Sequence, residues 1–181
     1  MFELVVALDK ISNNFEADQY GSLFNDLEAA DGFKVTSASL LNRALLEAVY
    51  WFGQFTKRPQ YILADLKLAD VGYLGEGGRW AGTNSEIIES VCNTVPDVTH
   101  FTCHAFPGPV SVKEAVETAK HFGVGILIVT NMSHEGSRER MTFPDYFDYA
   151  IRIGEECGVE GYIVPGNDSA ALSRAVEMTD K

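Results

Sequence analysis

The densest chemistry in the chain lies in the stretch YILADLKLADVG, Tyr61 to Gly72, where two carboxylates and an ammonium interrupt a run of apolar residues. A strand turns alternate side chains to one face, so Asp65 and Lys67 are expected to project together while Leu66 points away. Asp70 follows just past the strand's end, where parallel α/β folds gather their working loops. Charges on an apolar strand are costly unless they pair, so a structural ion pair is one reading of the motif. Asp9, which ends VVALD, and Lys34, within GFKV, favour a second reading. Alone, each is more simply a solvated or paired strand-end residue. Combined with Asp65, Lys67 and Asp70, they make an alternating array of acids and bases. Such an array fixes an ammonium in a carboxylate field, keeping it protonated and aimed at a site where negative charge develops.

These side chains need strands to carry them. The apolar runs FELVVAL, GFKVTS, QYILADL, VTHFTCH, GVGILIVT and EGYIVP read as strands. Between them, SLLNRALLEAVYWFGQF places Leu41, Leu45, Ala48, Val49 and Phe52 on one helical face. Further helices are expected in TNSEIIESVCNTV, SVKEAVETAKHFG, FPDYFDYAIRIGEECG and SAALSRAVEM. Ser85 and Ser111 stand near the starts of two of them, with acidic residues following, as helix N-termini prefer. Strands apolar on both faces indicate a parallel sheet covered by helices, which leaves an open doubly wound sheet or a closed barrel. Periodicity does not choose between these. A (β/α)8 TIM-type barrel has eight units, whereas this chain supplies about six. On the barrel reading, residues 1–181 form a single domain lacking the C-terminal units of a full barrel.

Composition excludes several partners. Against 14 basic residues stand 26 acidic ones, a formal net charge of -12 that repels nucleic acid and anionic lipid at long range. The same field opposes a phosphorylated substrate, so a phosphate site must rest on a local cluster of donors. Cys92, Cys103 and Cys157 are odd in number and lack CxxC spacing, which fits a reducing cytoplasm rather than a disulfide framework. The apolar run Leu4 to Leu8 is too short for a signal-peptide core, and none later is long enough to span a membrane.

The motifs carry a resemblance. The DxKxxD pattern of Asp65, Lys67 and Asp70 resembles the signature of orotidine 5'-monophosphate decarboxylases. ALD at Asp9, FKV at Lys34, HAFPG from His104 to Gly108 and NMSHEG from Asn131 to Gly136 extend it over nearly the whole chain in the right order. DxKxxD is shared with a related sugar-phosphate decarboxylase family, whereas HAFPG with MSHEG points to the nucleotide enzyme. The resemblance implies a β/α-barrel lyase of pyrimidine biosynthesis that uses neither metal nor organic cofactor. Lys67 would protonate the ring carbon that loses carbon dioxide, and Asp65 would lie against the departing carboxylate. Lys34 would pair with Asp65 and touch the ribose, while Asp9 would bind another ribose hydroxyl. Asp70 would reach into a neighbouring subunit's site, which implies a homodimer. Thr83 would likewise be contributed across the dimer, and Ser133 would meet the polar edge of the pyrimidine.

The chain departs from that pattern in two places. The Gly-rich loop and arginine that the family places after its last strands, to grip phosphate, are not found in the sequence. Between Asp70 and the next helix stands the insertion VGYLGEGGRWAGTN, whose Gly72, Gly75, Gly77, Gly78 and Gly82 fit a lid, a dimer-contact loop or a plain surface loop. Trp80 replaces the last glycine of GxGxxG, which weakens a dinucleotide reading. His100, Cys103 and His104 do not make a convincing zinc set, because on a strand His100 and His104 share a face that Cys103 does not. Two rival functions remain: a magnesium-dependent sugar-phosphate decarboxylase, and a silent remnant that binds nucleotide or a protein partner.

Overall fold

The computed structural model describes residues 4–8, 27, 29–40, 45–47, 49, 61–95, 97–134, 136 and 144–179. Asp9, most of the helix expected over residues 39–55, and Glu135 of NMSHEG lie outside the described residues. Two compact units make up the chain, Met1–Leu66 with Val91–His100 and Lys67–Ser90 with Phe101–Lys181. Strand order in the main sheet is β1-β2-β3-β6-β7-β8, so each apolar run expected to be a strand takes its place in it.

The first unit holds β1 (Val5–Ala7), β2 (Gly32–Thr36) and most of β3 (Tyr61–Leu68). Pairing is parallel, with Ala7 opposite Lys34 and Thr36 opposite Asp65. Phe33, Val35, Ile62 and Ala64 are buried to 1% exposure or less, which explains why the runs are apolar where they alternate inward. A short helical turn, α1 (Ser37–Leu40), follows β2, and its Ser39 hydroxyl donates to the Leu8 carbonyl at 3.1 Å.

The second unit opens with a hairpin where the sequence offered only a glycine-rich insertion. Strands β4 (Gly72–Leu74) and β5 (Trp80–Gly82) pair antiparallel around a 3-10 turn at Glu76–Gly78. Helix α2 (Thr83–Thr94) follows at once and belongs to this unit as far as Ser90; the unit resumes at Phe101 within β6 (His100–His104), followed by α3 (Pro109–His121) and β7 (Gly125–Val129). The unit ends with α4 (Asp145–Cys157), β8 (Gly161–Ile163) and α5 (Ser169–Met178). Local chemistry sets these bounds. Pro109 suits the first turn of α3, where its missing N–H is no loss. Gly158 ends α4 in a left-handed conformation, and the Asp168 carboxylate caps α5 by accepting the Ala171 N–H at 3.1 Å.

Helices α4 and α5 pack through Phe147, Ile151 and Ala171, with Tyr162, Val164, Ala175 and Met178 against them. Burying Phe147 and Ile151 contributes roughly 1.5–3 kcal/mol each. Beside this core, Arg174 grips Asp148 with two hydrogen bonds of 3.1 and 2.8 Å. No described helix is long and apolar enough to cross a membrane.

Candidate active site

Within the first unit, Lys34 and Asp65 meet. They stand diagonally on β2 and β3, and the Lys34 Nζ donates to Asp65 Oδ2 at 2.9 Å. Side-chain exposures of 22% and 9% leave the ammonium partly solvated and the carboxylate nearly buried. A charge-assisted bond of this length is among the stronger hydrogen bonds a protein makes and fixes the direction of both groups. The sequence expectation that these two residues pair is met by the geometry.

Lys67 stands at the start of the second unit with φ at +51°, in the left-handed region. That conformation is uncommon for a residue with a Cβ and costs on the order of 1–3 kcal/mol, so its surroundings must over-determine it. One such restraint is visible: the Lys67 N–H donates at 2.8 Å to Oγ1 of Thr102, a fully buried residue of β6. The pleat is interrupted here. Counting by twos along β3 therefore stops at Leu66, and it no longer fixes the face of Lys67 relative to Asp65.

Asp70 is exposed, but its backbone is held on both sides. Its N–H donates to Asn84 Oδ1 at 3.2 Å, and its carbonyl accepts from Asn84 Nδ2 at 3.1 Å and from the Ser111 hydroxyl. The Asp70 carboxylate accepts the next N–H, that of Val71, at 2.6 Å. Thr83 is exposed on the first residue of α2, directly before Asn84. Ser133 is exposed in the segment after β7, whose end is pinned by the Thr130 hydroxyl donating to the Ile163 carbonyl at 2.9 Å.

In HAFPG, His104 is buried against Phe106 with ring centroids 5.3 Å apart, and Gly108 takes φ +101° to enter α3. That backbone suits only glycine. Burial pushes the Cys103 thiol up to about 12, so it is no nucleophile at neutral pH. Among the described residues, no group of three or more His, Cys, Asp and Glu is placed to hold a metal ion.

Sequence reasoning missed Thr102, Asn84 and Glu114, which hold the named residues rather than carry their chemistry. A signal existed for one of them. Ser111, Glu114 and Thr118 recur at helical spacing beside the buried stripe of Val112, Ala115 and Ala119, so they form a polar ridge that α3 turns inward.

Comparison with known proteins bears on the family and the fold. Residues 4–181 match the model of the orotidine 5'-phosphate decarboxylase / HUMPS family. Orotidine 5'-phosphate decarboxylase of Methanosphaera stadtmanae is 28% identical over 120 residues, covering 66% of this chain and 50% of that one. The Thermoplasma volcanium enzyme of the same name is 30% identical over 120 residues, 66% of this chain and 48% of its own. The chain thus spans about half the length of the curated relatives it matches. Among solved structures, orotidine 5'-monophosphate decarboxylase of Methanocaldococcus jannaschii, complexed with the inhibitor BMP, superposes with a TM-score of 0.75. That match has 21% identity and covers 97% of this chain and 73% of the other, which establishes a shared β/α-barrel fold.

Proposed function

Because residues 4–181 place this chain in the orotidine 5'-phosphate decarboxylase / HUMPS family, we propose that it acts on the nucleotide, converting orotidine 5'-monophosphate to uridine 5'-monophosphate. The bond from the pyrimidine ring to its carboxylate breaks, carbon dioxide leaves, and the electron pair stays on the ring carbon. Lys67 delivers a proton to that pair and regains one from solvent. A carbanion with no attached group to spread its charge depends on preorganised electrostatics, and a fixed ammonium supplies both field and proton. Asp65 faces the departing carboxylate, and Lys34 holds Asp65 while reaching the ribose. Asp9 and Ser133 bind ribose and ring, and Asp70 and Thr83 complete the site of a second copy in a homodimer. No cofactor takes part, and the three free cysteines suit the reducing cytoplasm.

The observation that carries this reading is the left-handed backbone of Lys67, restrained by buried Thr102. Strain at a charged strand-end residue is a cost that a merely solvated lysine has no reason to bear. Support for the nucleotide over a sugar phosphate comes from the relatives, each an orotidine 5'-phosphate decarboxylase by name.

The test is carbon dioxide release from carboxyl-labelled orotidine 5'-monophosphate by wild type and Lys67→Ala, each with and without chelator. Release by the wild type that withstands the chelator, and is lost in a folded Lys67→Ala variant, supports the proposal. Equal release by the variant sinks it. Chelator-sensitive turnover of a sugar phosphate would move the chain to the other branch of the family, and nucleotide binding without release would make it a silent binder.

A further inference from the structure

Resting on that reading of Asp70, we propose that Glu114 is a positioning residue: its buried carboxylate orients the Asn84 amide that clamps Asp70, and seats the hairpin that separates Asp70 from Thr83. Glu114 lies on α3 with no exposed surface, yet the proposed chemistry does not use it. Its Oε1 accepts the Ser85 N–H at 2.9 Å and the Ser85 hydroxyl at 2.6 Å, and Oε2 accepts from Asn84 Nδ2 at 3.3 Å. The single Ser85 hydroxyl proton is thereby committed, so the Thr118 hydroxyl must be the donor in its 2.9 Å contact with Ser85.

A carboxylate has only acceptors, and this decides the rest. Asn84 turns its NH2 toward Glu114, which leaves its carbonyl oxygen facing the Asp70 N–H, while the two NH2 protons are shared among Glu114 at 3.3 Å, the Asp70 carbonyl at 3.1 Å and the Ser111 hydroxyl at 3.0 Å. With the amide reversed, oxygen would face carboxylate and NH2 would face N–H. Glu114 thus reinforces from the buried side the same amide orientation that the Asp70 N–H and carbonyl require, the one that grips both sides of the Asp70 peptide.

The same carboxylate also sets the foot of the hairpin. Gly72 and Gly82 are paired across it, and a Cβ added to Gly72 would stand 2.5 Å from Glu114 Oε2. One added to Gly82 would meet Glu114 Oε1 at 2.8 Å and the Val71 carbonyl at 2.5 Å. Both strands close on a space that the glutamate fills. Insertion of a hairpin between Asp70 and Thr83 would otherwise let the two residues drift; the clasp returns the chain to one place before α2 begins.

Glu114→Gln tests this by turning one acceptor into a donor at nearly constant volume. Turnover should fall about tenfold or more with KM little changed, as expected when a catalytic group is displaced by a fraction of an ångström. Asp70 is proposed to serve the neighbouring site, so heterodimers of Glu114→Gln with Lys67→Ala should regain activity: one site then combines an intact Lys67 with a properly held Asp70. A general folding lesion in Glu114→Gln would give no such recovery, and that result overturns the proposal. Independently, amide exchange at Asp70 should accelerate about tenfold or more in Glu114→Gln and in the second variant, Asn84→Ser. Unchanged exchange overturns it in either variant. A wild type that releases no carbon dioxide would sink the decarboxylase reading, whereas the exchange measurement would still decide the clamp.

Discussion

Asp65 and Glu114 are both carboxylates withdrawn from water, and the protein stabilises them in opposite ways. In the first unit Asp65 takes a cation, Lys34 at 2.9 Å, and keeps part of its partner in solvent. In the second, Glu114 takes neutral donors from Ser85 and Asn84 and is wholly enclosed. A carboxylate matched by an ammonium presents a field that a ligand can feel. One surrounded by hydroxyl, amide and backbone donors presents little beyond itself and holds its neighbours in place. Under the proposed function, the difference separates residues that act from residues that aim.

Substitutions at the two carboxylates should therefore fail differently. The largest effect is expected at the ion pair: Asp65→Ala or Lys34→Ala should cut decarboxylation on the order of a hundredfold or more, and Lys34→Ala, which takes this cation from a nearly buried carboxylate, should also lower the thermal transition. Intact activity in either variant would erase the distinction between the two carboxylates. Gly72→Ala should act mainly on stability, losing about 1–3 kcal/mol in denaturant unfolding because its methyl group collides with Glu114, with a smaller fall in turnover through the Asp70 clamp. Gly77→Ala, at the hairpin tip with nothing within 4 Å, should cost less, only the strain of φ +80°. Equal losses at the two glycines would show that Glu114 gives way and holds nothing.

Thr102→Val probes the boundary between acting and aiming. It removes the acceptor for the Lys67 N–H at constant shape, so stability should drop by about 1–3 kcal/mol and turnover should fall with it. A stable, fully active Thr102→Val would detach the Lys67 backbone from function.

The smallest expected effect lies at the partly exposed pair of Asp148 and Arg174. The guanidinium holds the Asp148 carboxyl below its usual range. A depressed native pKa means that this stabilisation is fully present above an unfolded aspartate's pKa of about 3.9, and is lost as pH falls through the lower native value. Asp148→Asn should thus melt slightly below wild type at pH 7 in low salt and match it in strong acid. Solvent screening keeps the difference small. A variant that melts with the wild type at pH 7 would leave the pair with no measurable part in joining α4 to α5.

The strands were legible because a parallel strand buried on both faces leaves an apolar run of fixed length, as GVGILIVT and QYILADL do. The pairing of Lys34 with Asp65 was implied only by the family resemblance, because the charges on their own left each residue's partner open. Glu114 was not. A glutamate in a helix is most often solvated, and only its place on α3 beside Ser111 and Thr118 marks it as enclosed. Nor did the glycines announce a hairpin. Gly72 and Gly82 are small because a side chain thirty or more positions away occupies the space, which is tertiary information. The turn at Lys67 was hidden as well, because a lysine with positive φ carries no mark in a sequence.

The hairpin's two ends are therefore unlike in what they permit. Its foot is fitted around one glutamate, while Gly77 and Gly78 at its tip have no neighbour in reach of an added side chain. Extra residues, a fluorophore or an affinity peptide grafted at that tip would project into solvent without disturbing the grip below. The loop thus offers a handle for watching the protein while it works.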